Sequence, residues 1–136
     1  MTFSPAAADT ISAHLKETGR TPNFYDLIVT GDLGETGSAL LLDLLKQEGL
    51  TLSNHSDCGC LIFDAEKQDV HCGGSGCGCC ASVLTAHLLP GMRAGKWTNI
   101  LFCPTGALHS PTASGQGESI PGICHAIAIS TTQEAR

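Results

Sequence analysis

The stretch His71-Cys72-Gly73-Gly74-Ser75-Gly76-Cys77-Gly78-Cys79-Cys80-Ala81-Ser82 places four cysteines and four glycines within a dozen residues. Three chemistries suit those residue types. Glycines let a backbone turn sharply and approach another group closely, and the N–H groups of a helix start attract an anion. Cys77-Gly78-Cys79-Cys80 contains a C-x-x-C, which at a helix start is the setting of a redox dithiol. His71, Cys72, Cys77, Cys79 and Cys80, together with Cys58 and Cys60, are soft donors of the kind that hold zinc or copper. Each has a plainer counterpart. Buried thiols serve as small hydrophobes, small residues allow close helix–sheet packing, and a lone histidine at a strand end is commonly structural. The cysteine spacing is not a pair of C-x-x-C knuckles, and adjacent Cys79 and Cys80 face different sides of a helix. No metal and no cofactor are expected.

These residues need elements to hold them. Ser4-Pro5 has the residue types of a helix start, with Ser4 as cap, Ala7, Ile11 and Leu15 on one face and Gly19 as the stop. Asp26 to Thr30 is an apolar run without alternation, as in a strand covered on both faces. A second helix is expected from Thr36 to Glu48, with Leu41, Leu44 and Leu45 inward and Gly49 ending it. Residues 51–60 are expected to be loop, Leu61-Ile62-Phe63 a short strand and Asp69-Val70-His71 another. After the Gly/Cys turn, Cys80, Leu84, Leu88 and Met92 mark a third helix kinked at Pro90. Thr98 to Cys103 is a strand. Residues 104–121 form a Gly/Ser/Pro/Thr loop long enough to suggest a role. Gly122 to Ser130 is the last strand, with Ile123, His125, Ile127 and Ile129 on one face. Strands alternating with helices imply a layered α/β domain, residues 1–136, with a mixed but mostly parallel sheet. No helix separates the last two strands, so one of them is expected to be antiparallel.

The composition narrows the function. The chain of 136 residues is 42% hydrophobic and 15% charged, a globular balance, and carries a net charge of −6. Its seven basic residues are scattered, so nucleic acid is not an expected partner. No apolar run is long enough to span a bilayer, and no secretory signal is evident. The eight cysteines are therefore expected to be free thiols of a reducing compartment.

Three strings carry a resemblance: YDLIVTGDLGETGSALLLDLL, DVHCGGSGCGCCASVL and ILFCPTGALHSPTASGQGESIPGICHAIAI. With them the chain closely resembles the stage V sporulation protein AD family from about Ala6 to Ile129. That family is similar in fold to thiolases and ketoacyl synthases. The resemblance implies a chain about half the length of family members, matching most of the second of two thiolase-like halves and lacking that half's first strand. Asp26–Thr30 would then have an unpaired edge. It also implies a non-enzymatic binder of dipicolinic acid, free or as its calcium chelate. That role serves movement of the ligand into the forespore and its release at germination. The implied partners are membrane proteins of the same spore transport operon, and a companion chain carrying the first half is possible. The implied location is the periphery or cytoplasmic face of the forespore inner membrane. In thiolase-fold enzymes the second half supplies a His, and a second His or an Asn, to a cysteine nucleophile of the first half. Asp32 stands near the first of those positions and, when ionised, cannot donate to an oxyanion. His71 lies near the second. The implied ligand site comprises Asp32, His71, Gly74, Ser75, Gly76, Cys77, Ser110 and Ser119, with Thr112 as a further hydroxyl and Gly76 in close approach to the ligand. The competing functions are a thiolase- or ketoacyl-synthase-like acyltransferase fragment and a cytosolic dithiol or metal-binding protein.

Overall fold

The structure is a computed structural model that describes residues 3–107 and 109–132. It contains α1 (Ser4–Thr18), β1 (Leu27–Thr30), α2 (Gly34–Gln47), β2 (His55–Asp57), α3 (Cys58–Leu61), α4 (Cys79–Val83), α5 (Leu89–Arg93), β3 (Asn99–Cys103), β4 (Thr105–Ala107), α6 (Pro111–Gly115), β5 (Gly122–Cys124) and β6 (Ile127–Ser130). The main sheet has the order β2-β1-β3-β6. β1 runs parallel to β2 and β3, and β6 runs antiparallel to β3. The domain is therefore α/β with a mixed, mostly parallel sheet.

Alternation along the two central strands divides the core. Ile28, Leu101 and Cys103 face α1 and α2, where they meet Ala7, Ile11, Leu15, Leu41 and Leu45. Val29, Ile100 and Phe102 face the helical run of residues 79–93 and meet Cys58, Cys79, Val83, Leu88 and Met92. A sheet with helices on both faces buries both sides of each central strand, which is why these strands lack polar alternation. β1 is paired on both sides, so the expected unpaired edge at Asp26–Thr30 is not found. The ends of the described sheet are β2 and β6.

Other differences from the sequence expectations have local causes. β2 falls within the stretch taken for loop. His-Ser-Asp has no apolar signature, and its strand character comes from parallel pairing with β1. Leu61-Ile62-Phe63 is not a strand. Asp57 caps the helix start ahead of it by accepting from the Gly59 amide, and the three apolar residues follow at or after the end of α3. Asp69-Val70-His71 likewise forms no strand. Ser4 is not a cap. It is the first helical residue, and its hydroxyl donates 2.8 Å to the Gly37 carbonyl, tying α1 to α2. The kink expected at Pro90 takes the form of a π-helical turn, Leu84–Leu88, between α4 and α5. Proline lacks an N–H and crowds the preceding turn, and a wider turn relieves both. The final strand is two. β5 pairs with β4 in a second sheet, β6 returns to β3, and the His125 amide bonds to Pro104 O across the break.

Apolar surface remains uncovered. Leu61, Ile62 and Phe63 are 40%, 37% and 41% exposed, and Ile127 on the terminal strand is 48% exposed. Contiguous apolar surface and open strand edges drive association. The chain by itself is expected to dimerise, aggregate or require a companion chain at micromolar concentration. Sedimentation velocity tests this, and a monodisperse monomer with a sharp cooperative melt would contradict it.

Candidate functional site

The parallel strands β1 and β2 end on the same side of the sheet, where α/β proteins place their ligands. Beyond Thr30 the chain passes through Gly31-Asp32-Leu33 into α2. Beyond Asp57 it enters α3. The Gly/Cys turn folds over this corner, and Gly74 N donates 2.7 Å to Gly59 O while Glu35 N donates 2.9 Å to Cys72 O. Between the turn and α2 lies a cavity of about 310 Å³, walled by Asp32, Gly34, Thr36, Leu40, Gly74 and Ser75 among others. Among the described residues its lining contains no basic side chain.

Four of the eight expected site residues come together here. The Asp32 carboxylate accepts from Ser75 Oγ at 2.9 Å and Gly76 N at 3.2 Å on one oxygen, and from Thr105 Oγ1 at 3.0 Å on the other. Asp32 thus joins the Gly/Cys turn to the segment after β3. Gly74 and Ser75 line the cavity, whereas Gly76 lies just outside it. Nothing lies within 4 Å of where a Gly76 side chain would start, so its glycine is required by φ +126° and not by a close neighbour.

The other four are elsewhere. His71 has a left-handed backbone, φ 50°, and an exposed side chain 3.6 Å from Asp69. It does not line the cavity, and neither does Cys77, which is exposed. Ser110 caps α6 by accepting from Ala113 N at 3.2 Å, and Thr112 lies within that helix. Ser119 is exposed between α6 and β5. None of these hydroxyls borders the cavity.

Four thiols near the corner, Cys58, Cys60, Cys79 and Cys80, are raised above the ordinary thiol range. Burial pushes Cys58 far above the ordinary thiol range and Cys60 up to about 11. Burial, with the Asp32 charge added, also raises Cys79 and Cys80. A thiolate at Cys79 or Cys80 is disfavoured, opposite to what a redox dithiol requires. Cys79 Sγ instead faces the Gly31 carbonyl at 3.9 Å. Among the described residues no group of three or more His, Cys, Asp or Glu is placed to hold a metal ion.

Asp57 is what sequence reasoning missed. Its carboxylate is buried and accepts from Thr30 Oγ1 at 2.6 Å, Leu33 N at 3.0 Å, Gly34 N at 2.9 Å and Gly59 N at 3.0 Å. The available signal was an Asp directly before Cys-Gly, the pattern of a helix cap. Beside it His55 Nε2 lies 3.0 Å from Thr30 Oγ1. Thr30 has one hydroxyl proton, and with Asp57 taking it the imidazole is the donor.

Burial lowers the pKa of His55 and of His14 below the usual 6.5. The unfolded chain therefore binds more protons than the folded one as pH falls through that value. Stability is complete above it and declines below it. The melting temperature is expected to be lower at about pH 5.5 than at about pH 7.5, and His55→Gln is expected to flatten that difference. A melting temperature independent of pH over this window would contradict the assignment.

The arrangement defines a small α/β domain with a cavity at the ends of its parallel strands, lined by apolar side chains, hydroxyls, backbone and the Asp32 carboxylate. A family model described as Stage V sporulation protein AD (SpoVAD) matches residues 1–130. The Stage V sporulation protein AD of Bacillus subtilis (strain 168) is 46% identical over 126 residues, which cover 92% of this chain and 37% of that protein. The chain belongs to the stage V sporulation protein AD family, a family of sporulation proteins. It spans 37% of the curated relative's length, less than the half expected from the sequence. No described helix is long and apolar enough to cross a membrane.

Proposed function

We propose that the chain binds dipicolinic acid without chemically changing it. The role is to serve its movement into the forespore and its release at germination, at the periphery of the inner membrane and beside membrane proteins of the same operon. Family membership supplies the context. The observation that carries the reading is the cavity at the Gly/Cys turn, with its size, its position at the strand ends, and a lining that joins apolar side chains to hydroxyls and backbone. Among the described residues a free dicarboxylate would meet no basic side chain there and would meet the Asp32 carboxylate on the wall. That favours the calcium chelate over the bare dianion. A ligand that binds only the folded chain raises its melting temperature. Calcium dipicolinate is expected to do so, dipicolinate with a chelator to do so less, and benzoate with calcium not at all. Equal melting temperatures in all three would oppose the reading. His71→Ala tests whether the exposed imidazole contributes, and unchanged affinity removes it from the site.

The acyltransferase alternative fits poorly. By the resemblance Asp32 stands near the position where an imidazole would be needed, and burial raises the nearby Cys79 thiol. Incubation with acyl-CoA is expected to release no free CoA above background. An acyl adduct on Cys77 or Cys79 in mass spectrometry would overturn that expectation.

A further inference from the structure

We propose that Asp57 is the positioning residue of the cavity, one buried carboxylate that holds both walls in register without touching what lies between them. Asp57 is 1% exposed, and all four of its recorded donors belong to elements around the cavity. Oδ1 takes Thr30 Oγ1 and Leu33 N, and Oδ2 takes Gly34 N and Gly59 N. Leu33 and Gly34 form the wall on the α2 side. Gly59 passes the constraint to the opposite wall, because its carbonyl accepts from Gly74 N. The Glu35 N to Cys72 O bond then closes a ring of contacts running from α2 through Asp57 and α3 to the turn and back to α2. Asp57 itself does not line the cavity.

Only a carboxylate fits this position. Four donors converge on two oxygens, and an ionised carboxyl accepts at both. Asparagine would set its NH2 group against a backbone N–H in either orientation, Gly34 and Gly59 in one and Leu33 in the other, so at least one acceptance becomes a donor–donor contact. Among the described residues no lysine or arginine forms an ion pair with Asp57. Its oxygens are met by backbone amides and one hydroxyl, all from the segments that wall the cavity.

The ligand arm of the test rests on the dipicolinate reading, and the exchange arm does not. Amide hydrogen exchange is measured on the whole chain for wild type, Asp57→Asn, Thr30→Val and Leu88→Ala. Leu88 is fully buried, forms no hydrogen bond to the ring around Asp57 by its side chain, and serves as a control for lost stability. In Asp57→Asn the Glu35 and Gly74 amides, which do not contact Asp57, are expected to exchange about tenfold faster or more. Thr30→Val, which removes one of the four donors, is expected to shift them in the same direction by less. Leu88→Ala, matched or exceeding in lost melting temperature, is expected to leave those two amides unchanged relative to the rest of the chain. Titration with calcium dipicolinate is expected to show about tenfold weaker binding or more for Asp57→Asn and native affinity for Leu88→Ala. Native protection of Glu35 and Gly74 in Asp57→Asn, or the same loss in Leu88→Ala, overturns the proposal. Failure of wild type to bind calcium dipicolinate overturns the functional reading, and the exchange result still decides the role of Asp57.

Discussion

Gly59→Ala is expected to be among the most damaging single substitutions in this chain, lowering stability by about 2–4 kcal/mol and the melting temperature by about 10 °C. A methyl group at that position would enter hard contact with the Gly74 carbonyl. It would also lie 2.9 Å from Asp57 Oδ2 and 3.3 Å from the Asp32 Cα. Two of these neighbours are backbone, and the third is a carboxylate fixed by four hydrogen bonds, so none can swing away. Relief requires the Gly/Cys turn to lift from α3, which breaks the Gly74 N to Gly59 O bond. Gly78→Ala is the matched comparison. Nothing lies within 4 Å of a methyl there and its φ is −96°, so a loss well under about 1 kcal/mol is expected. Thermal melts of the two variants decide it. Equal stabilities would show that the turn does not pack on α3 as described.

Leu88→Ala carries the second large effect, a loss of about 2–5 kcal/mol. Leu88 is fully buried in the π-helical turn, within the cluster that includes Val29, Ile100 and Phe102 of the central strands. Removing its branch leaves a cavity lined by a β-sheet on one side. The pleat is held by hydrogen bonds to both neighbours of β1 and cannot collapse inward. The same truncation at Leu84, which is only partly buried beside that cluster, is expected to cost less. Chemical denaturation of both variants measures the difference. A larger loss at Leu84 would mean that the helix faces the sheet in a different rotation.

The elements with strong apolar patterning were legible in the sequence, and those held by single polar contacts were not. Ile28 and Val29 announced a doubly covered strand, and Leu41 and Leu45 announced the inner face of α2, because side chains buried by area leave a pattern. β2 was illegible because His55, Ser56 and Asp57 are there to pair and to bond, not to fill space. The triplet Leu61-Ile62-Phe63 misled because its apolar character is not spent on the described core. Within the site, Gly74, Ser75 and Gly76 lie in one short turn, so local spacing could group them, whereas Asp32, more than forty residues away, was named only through the family resemblance. His71 and Cys77 belong to the same stretch of sequence, but a left-handed residue at His71 and the twist through Gly76 send both side chains outward. Ser110 and Ser119 follow β3, and the turn of α6 commits Ser110 to a cap. Asp57 acts through backbone amides of residues 2 to 24 positions away, and no spacing rule exposes such a set.

The central claim is that the cavity under the Gly/Cys turn takes calcium dipicolinate. Leu40 offers the most direct test, since it lines that cavity, is 38% exposed and sits on a helix that accepts glutamate readily. Leu40→Glu places a second carboxylate on the cavity wall without disturbing the core. Calorimetric titration with calcium dipicolinate is expected to show saturable binding to the wild-type chain and, for Leu40→Glu, an affinity changed by about tenfold or more at an unchanged melting temperature. Saturable binding of equal strength in both proteins would place the ligand elsewhere, and the absence of binding to the wild-type chain would contradict the account outright.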